Sequence, residues 1–254
     1  MTKVYHLDLE KKDLKGAKVA LLPGDPERVE GLARAVASEY GTAFKRLASK
    51  REFTTYLSSF NGTRLVVAST GIGGPSASIA IDELAQLGIT TFIRVGTTGA
   101  IQPFIKDGDC VITTGSVRLD GASTHYAPIE YPAVADHFLT SALVKGAEAA
   151  RVRYHLGVTA SSDTFYPGEE RTDSFRKFKM RRFRGATEEL RALHVLNYEM
   201  ESSTVLTLTA SMGLKGACIT GVVNRGSVGR ITPGSLKKGE ESAIRAAVKA
   251  LRFL

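Results

Sequence analysis

The 254-residue chain contains no tryptophan and only two cysteines, Cys110 and Cys218, each inside an apolar run. So few cysteines exclude a disulfide scaffold and favour buried, reduced thiols. No apolar run approaches the roughly 20 residues of a membrane-spanning helix, and the first ten residues lack the apolar core of a secretory signal, so we expect a cytoplasmic protein. Acidic residues are also scarce: 26 Asp and Glu stand against 34 Lys and Arg. The net charge of +8 favours an anionic partner without specifying which kind.

Short apolar runs alternate with helical patterns along the whole chain. Strands are predicted over 18–22, 64–70, 90–95, 109–114, 155–160 and 215–223. Helices are predicted from Pro26 onward and over 76–87, 136–150, 198–211 and 240–251. This alternation predicts an α/β fold: a single three-layer domain spanning residues 1–254, with a central mixed β-sheet flanked by helices. No repeat or linker divides the chain.

Three predicted strands end in segments that suit an oxyanion. The first end is Pro23-Gly24-Asp25-Pro26-Glu27-Arg28, the second is Arg94-Val95-Gly96-Thr97-Thr98-Gly99, and the third runs from Ser69 to Ser76 with three glycines. Ligands of open α/β sheets bind at such carboxyl ends. Each glycine-rich turn alone is more often a tight connection than a phosphate site. However, two arginines together favour a discrete oxyanion over a nucleoside triphosphate, and no Walker or dinucleotide motif is present.

Two acids, Glu199 and Glu201, lie where a short strand ends and a helix begins. Acids at a helix N-terminus are stabilised by the helix dipole. A purely structural role of these two acids is therefore about as well supported as a role in ligand binding. A carboxylate at the ligand edge of the sheet would also accept hydrogen bonds from the hydroxyls of a sugar.

Eight segments, in order along the chain, resemble the nucleoside phosphorylase superfamily, and within it the bacterial-type uridine phosphorylases. They are PGDPERV at 23–29, SKREFTT at 49–55, STGIGGPS at 69–76, ELAQLGI at 83–89, RVGTTGAI at 94–101, VRLDGA at 117–122, ASSDTFYPG at 160–168 and NYEMES at 197–202. Several motifs of this length are far more specific than one glycine-rich loop.

The resemblance implies a role for particular residues. Phosphate would be bound by Gly24, Arg28, Arg94, Thr97 and, from a neighbouring subunit, Arg51. Ribose would be bound by Glu199, Met200, Glu201 and the neighbour's His6. The base would be bound by Phe165, Glu169, Arg171, Val222 and Val223. Catalysis would depend on Arg28, Arg94, Arg171 and Glu201. A monovalent cation at a dimer interface, such as a structural potassium ion, would be bound by Glu52, Ile72 and Ser76.

The implied reaction is the reversible phosphorolysis of a pyrimidine nucleoside: uridine and phosphate give uracil and ribose 1-phosphate. Orthophosphate is then a co-substrate, no organic cofactor is needed, and no nucleophilic Ser or Cys is required. Shared sites imply a homo-oligomer, a dimer that assembles further into a hexamer, with a role in pyrimidine salvage.

One position departs from the family pattern. The family has Gln where this chain has Glu169, and that amide accepts from uracil N3–H and donates to O2. An ionised carboxylate accepts from N3–H but has no proton to donate to O2. Three explanations stay open: uridine is a poor substrate, another base is preferred, or Glu169 is protonated or turned away. The sequence Val223-Asn224-Arg225 lacks the acid that purine enzymes carry there, which favours pyrimidines.

Other functions remain possible on the sequence alone. A purine nucleoside phosphorylase or a hydrolytic nucleosidase would have the same fold. Residues 171–191 hold eight basic and three acidic residues, so this segment alone carries +5 of the net charge. Phe175, Phe178 and Phe183 interleave with those charges, which is the pattern of an RNA-binding surface, although a solvated basic flap is the stronger interpretation. No membrane partner is indicated.

Overall fold

The structure is a computed structural model that describes residues 3–225 and 229–254. Over these residues the chain forms ten strands, six α-helices and short 3-10 turns. The strands are β1 Val19–Leu22, β2 Lys45–Lys50, β3 Phe53–Phe60, β4 Thr63–Ala68, β5 Thr91–Ala100, β6 Cys110–Leu119, β7 Ala133–Val134, β8 Tyr154–Ser162, β9 Asn197–Glu199 and β10 Lys215–Arg225. The helices are α1 Glu27–Tyr40, α2 Gly74–Gln86, α3 His137–Ala149, α4 Ala186–Ala192, α5 Ser202–Ser211 and α6 Pro233–Ala250.

Strand β1 shows how the sheet divides the core into two layers. Val19 and Leu21 join one hydrophobic cluster with α1, α3 and α6, whereas Ala20 and Leu22 join a second cluster with α2 and α5. Successive strand residues point to opposite faces, so a strand covered on both sides is apolar throughout. The uninterrupted apolar run at β1 is therefore the sequence signature of its central position.

The strands form one mixed sheet in the order β10-β6-β8-β9-β5-β1-β4-β3-β2. Strand β10 also pairs in parallel with β5, so β5, β10, β6, β8 and β9 close on themselves. Strands β1, β4 and β5 run parallel, which brings their carboxyl ends to one edge. The short β9 pairs with both β5 and β8 and delivers residues 199–201 to the same region.

The predicted fold class, a three-layer α/β structure with a central mixed sheet, is confirmed. The assignment of residues 1–254 to one domain stays a prediction. Cys110 and Cys218 are buried free thiols. None of the helices described is long and apolar enough to cross a membrane.

The sequence did not predict strands β2 and β3. In β3 the buried positions include Thr55 and Ser58, and these polar residues obscure the apolar alternation that identifies a strand.

Two helices begin four or more residues from the predicted start. Helix α5 begins at Ser202 rather than at residue 198, because Asn197 and Tyr198 pair with β5. Helix α6 begins at Pro233, not at residue 240, because Thr232 and Ser235 form a capping box before it.

Candidate active site

A cavity of about 640 Å³ opens at the edge where the parallel strands end. Its lining comes from segments far apart in sequence. The residues that line it are Gly24, Asp25, Pro26, Arg28, Glu52, Gly71, Ile72, Ser76, Arg94, Gly96, Thr97, Thr98, Gly99, Phe165, Glu169, Tyr198, Glu199, Met200, Glu201, Val223, Asn224 and Ile231. The size suits a small organic ligand.

Arg94 is the central cation of the cavity and is only 4% exposed. Its Nε donates to Glu199 Oε2 at 2.8 Å, and its Nη2 pairs with Glu201 Oε2. Nη1 is buried and has no hydrogen-bond partner among the described residues. The guanidinium is therefore held on two sides and keeps the Nη1 amino group, with its two N–H donors, for a ligand.

Two glycines make room around this guanidinium. A Cβ added to Gly96 would lie 2.7 Å from Arg94 Nη2, so any side chain there would displace the arginine. A Cβ on Gly24 would lie 3.9 Å from Nη1, which places the Gly24 turn beside the unpartnered nitrogen. The glycines that follow the predicted strands thus allow the backbone to lie close to the Arg94 guanidinium.

Glu199 fixes Arg94 and also caps helix α5. Besides Arg94 Nε, its carboxylate accepts from the amides of Glu201 and Ser202 at 2.8–2.9 Å and from the Ser202 hydroxyl at 2.5 Å. All four donors bind a carboxylate at the positive end of a helix. The dipole interaction weighed from the sequence is present, and it serves the site by orienting the arginine.

Glu201 has fewer protein partners. Its Oε1 accepts from the Gly73 amide at 2.5 Å and its Oε2 pairs with Arg94. A carboxylate offers about four lone-pair positions, so two remain for a ligand. Glu201 is therefore the acid best placed to accept hydrogen bonds from a pair of hydroxyls.

Burial and charge shift the protonation of this cluster. Burial raises the pKa of Glu201, and the charge of Glu199 adds to that effect, while Arg94 opposes it. Burial alone would lower the pKa of Arg94, but the negative charges of Glu201 and Glu199 outweigh burial and raise it. Arg94 is consequently a permanent cation in a site shielded from water.

Arg28, on the first turn of α1, is the second cation on the cavity wall. Its Nε lies 2.7 Å from Glu240 on α6 and 3.8 Å from Asp25. Asp25 also accepts from the Glu27 amide at 2.9 Å, which supports the start of α1 as predicted. A ligand anion at Arg28 therefore competes with two carboxylates.

The opposite end of the cavity is aromatic. The Arg171 guanidinium lies 4.4 Å from the centre of the Phe165 ring, a cation–π contact. Asp173 accepts from Arg171 Nε and Nη2 at 2.9 and 2.7 Å. Phe165 and Glu169 line the cavity, whereas Arg171 contacts the Phe165 ring and does not line it. This end suits a flat, polar-edged ring.

Most residues named from the sequence meet at this cavity. The exceptions are four, and they fall into two groups. Arg51 and His6 lie outside it: Arg51 is exposed, and His6 Nδ1 is 2.7 Å from Glu83 Oε1. Arg171 and Val222 are buried beside it, the latter in a small cluster with Ala100 and Val111.

The residues named for a monovalent cation lie at the mouth of the cavity. The Ser76 hydroxyl donates to Glu52 Oε1 at 3.2 Å, and the Ile72 side chain is 77% exposed. A Cβ on Gly71, whose φ is +71°, would clash with both Ser76 and Glu52. Oxygen ligands of this type suit a hard cation. No group of three or more His, Cys, Asp or Glu side chains in the described part of the chain is arranged to hold a metal ion.

Sequence reasoning missed four residues that line or support the site. Glu240 reaches Arg28 from the last helix, and the cavity is lined by Asn224, near the end of β10, and by Ile231, which follows that strand. Asp120, inside a segment quoted only for resemblance, accepts from the hydroxyls of Ser203 and Thr204 at 2.5 and 2.8 Å. Of these residues, only Asn224 could have been recognised from the sequence, because it directly follows the predicted strand 215–223.

Comparisons with known proteins agree with this geometry. The profile of the family described as "Phosphorylase superfamily" matches residues 18–254. The chain belongs to this superfamily. It is 53% identical over 252 residues to uridine phosphorylase of Salmonella typhimurium, covering 99% of this chain and 98% of that protein. It is 48% identical to uridine phosphorylase of Haemophilus influenzae, covering 100% and 99%. It is 33% identical to guanosine phosphorylase of Halorubrum lacusprofundi over the full length of both chains.

Membership of the phosphorylase superfamily confirms the resemblance stated from the sequence. The match covers every element from β1 onward, so strand ends and cavity belong to the shared fold. The roles of the individual site residues stay predictions.

Proposed function

We propose that the protein catalyses the reversible phosphorolysis of uridine. An oxygen of orthophosphate forms a bond to C1′ of the ribose while the bond from C1′ to N1 of the base breaks. The bonding electron pair leaves with uracil, which then takes a proton, and the sugar product is ribose 1-phosphate. The reaction is a glycosyl transfer to phosphate and fits a role in pyrimidine salvage.

The observation that carries this proposal is the unpartnered Nη1 of Arg94. The nitrogen is buried, it lies beside the Gly24 turn, and the guanidinium cannot turn away because Glu199 and Glu201 hold it. Arginine N–H groups bind phosphate oxygens strongly when water is excluded. Arg94, Arg28, Gly24 and Thr97 therefore supply a phosphate subsite, whereas attack by water needs no such cations.

Ribose binding follows from the position of Glu201. Its free lone pairs face the same cavity as Arg94, so the 2′ and 3′ hydroxyls would donate to it within reach of bound phosphate. Met200 lines the cavity next to Glu201 and offers an apolar contact for the sugar ring. Holding both reactants in one orientation removes much of the entropic cost of their encounter.

The base subsite is formed by Phe165, Glu169 and Val223. Phe165 and Glu169 line the same cavity, so a pyrimidine ring stacked on Phe165 would present its polar edge to Glu169. The Arg171 cation against the Phe165 ring would bring positive charge close to the departing base. Charge that develops on a leaving uracil is stabilised by such fixed cations in a site of low dielectric.

The active protein is proposed to be a homo-oligomer with shared sites, a dimer that assembles into a hexamer. Arg51 and His6 lie outside the cavity of their own chain, which is what donation to a neighbour's cavity requires. Glu52 and Ser76 offer two oxygen ligands at the cavity mouth, and the matching pair from a second subunit would complete a potassium site.

A nucleoside panel tests the proposal. Uridine, thymidine, cytidine, inosine and adenosine are incubated with the protein, with and without orthophosphate, and the free base is quantified by chromatography. We expect uracil release from uridine that depends on phosphate. Base release without phosphate would indicate a hydrolase, and release of hypoxanthine or adenine alone would indicate a purine enzyme. Either result would contradict the proposal.

A separate measurement addresses the RNA-binding alternative. Retention of a random oligoribonucleotide at physiological ionic strength would support it, and the comparisons favour the enzyme instead. In the structure Glu170 binds three residues of the basic segment 171–191: it accepts from Lys179 at 3.3 Å and from the Gly185 and Thr187 amides at 2.9 and 3.0 Å. The basic segment is thus attached to the base end of the cavity.

A further inference from the structure

Glu169 is a buried acid that faces the base subsite without a protein partner. The residue is 6% exposed and lines the cavity, and among the described residues no hydrogen bond reaches its carboxyl group. The adjacent Glu170 makes three hydrogen bonds to the basic segment, so the two consecutive acids do different things. Because Glu169 lines the cavity, a ligand in the base subsite is in a position to supply the partner of its carboxyl group.

The charges around Glu169 do not neutralise an ionised carboxylate. Arg171 follows it in the chain, but Asp173 binds that guanidinium through two nitrogens. Glu199 and Glu201 face it from β9 and the start of α5, and Arg94 on β5 is already paired with these two acids. Glu170 is next to it in the chain, and the Tyr198 hydroxyl on β9 also interacts electrostatically with Glu169.

This environment favours the neutral acid. Burial raises the pKa of Glu169 to about 8, with Glu199 and Glu201 adding to the rise and Arg171 opposing it. At neutral pH the side chain then carries an O–H donor next to a C=O acceptor. Uracil presents the complementary pair on one edge: the N3–H donor beside a carbonyl oxygen.

We propose that Glu169 reads the base as a neutral carboxylic acid, accepting from N3–H of uracil and donating to the adjacent carbonyl. This inference rests on the proposed function and resolves the departure at position 169 in favour of a protonated side chain. When Glu169 ionises, the donor is lost and a negative charge faces a base that becomes negative as it leaves. Uridine turnover is therefore expected to fall as the pH rises through the titration of Glu169.

The test compares wild type with Glu169→Gln, an uncharged side chain that keeps one donor and one acceptor. The value of kcat/KM for uridine is measured at saturating phosphate between about pH 6 and pH 9. Glu241→Gln is the matched control, because within residues 3–225 and 229–254 that acid makes only a surface pair with Lys237 at 3.9 Å. Uridine N3–H itself titrates at alkaline pH, and that loss is common to all three proteins.

The decisive quantity is the ratio of the Glu169→Gln value to the wild-type value. With a pKa of about 8, roughly ten elevenths of Glu169 is ionised at pH 9, so the ratio should rise about tenfold from pH 6 to pH 9. A rise of at least threefold supports the proposal. A smaller change, or a control that behaves like Glu169→Gln, would overturn it.

A spectroscopic measurement separates this inference from the proposed function. The infrared difference spectrum between wild type and Glu169→Gln at about pH 6 should contain the C=O band of a protonated carboxyl group. Absence of that band overturns the role of Glu169 whether or not uridine is cleaved. If the band is present but neither protein releases uracil with phosphate, the role in reading uracil is overturned together with the proposed function.

Discussion

Replacing Arg94 by methionine removes the one cation that lies between two buried carboxylates. The side chains of Arg94, Glu199 and Glu201 are 5%, 1% and 5% exposed, so bulk solvent screens the two carboxylates poorly once the cation is lost. Methionine keeps most of the apolar volume of the arginine, and the electrostatic loss therefore dominates.

The expected cost follows from what each carboxylate keeps. Glu199 retains the Ser202 amide and hydroxyl and the Glu201 amide, whereas Glu201 retains only the Gly73 amide. Removing one partner of a buried ion pair costs about 3–5 kcal/mol of unfolding free energy. We expect Arg94→Met to lose an amount in this range at about pH 8, most of it from Glu201.

This loss should depend on pH in a defined direction. Glu201 has a raised pKa in the folded protein, and removing Arg94 raises it further. An acid with a raised pKa destabilises the fold above its unfolded-state value and not below it, so the penalty shrinks as the pH falls and Glu201 takes a proton. The variant should therefore recover stability relative to wild type at about pH 5.

Urea unfolding at a fixed protein concentration measures both effects. The control is Arg94→Met combined with Glu201→Gln, which removes the stranded charge and should recover part of the loss at about pH 8. A loss below about 1 kcal/mol at that pH, or a loss that is the same at both pH values, would refute the assigned electrostatics. Phosphate-dependent activity should be abolished in both variants, because both lack the Nη1 group.

Two further predictions concern the supports of the site. Asp120→Asn should lower the unfolding free energy by about 1–3 kcal/mol in thermal melts, because the carboxylate accepts from four buried donors and the amide matches only some of them. Those bonds outweigh burial and lower the pKa of Asp120, so the difference in stability between wild type and variant should narrow under strongly acidic conditions. An unchanged melting temperature would contradict this prediction. Glu240→Gln should lower the KM for phosphate about two- to fivefold, because Arg28 loses a competing carboxylate at 2.7 Å. An equal or higher KM for phosphate, or an equal change in Glu241→Gln, would contradict that competition.

The elements that the sequence predicted well are those whose buried positions are all apolar and follow the period of a strand or a helix. Strand β1 is apolar throughout because both faces are covered, and helix α2 shows a clear apolar stripe ended by Gly88. The β2–β3 hairpin was missed because Thr55 and Ser58 are buried polar residues. A prediction based on apolar periodicity does not detect a strand whose buried positions are polar.

The site was predicted in composition but not in its internal contacts. Arg94 and Glu201 were named as ligand-binding residues, yet nothing local relates them, because they are 107 positions apart and meet only when β9 pairs with β5. The pairing of Arg28 with Glu240 depends in the same way on α6 packing near α1.

The state of Glu169 also depended on the fold. The sequence left three explanations open because ionisation of a carboxyl group is set by surroundings rather than by neighbours along the chain. The structure supplies those surroundings: a buried position and an arginine already bound by Asp173.

The central claim is that phosphate, and not water, attacks the ribose. Phosphorus NMR of a reaction containing uridine and orthophosphate tests it directly, because ribose 1-phosphate has its own resonance. We expect one ribose 1-phosphate for each uracil released, and no uracil when phosphate is omitted. Uracil formed with free ribose and no new phosphorus resonance would contradict the account.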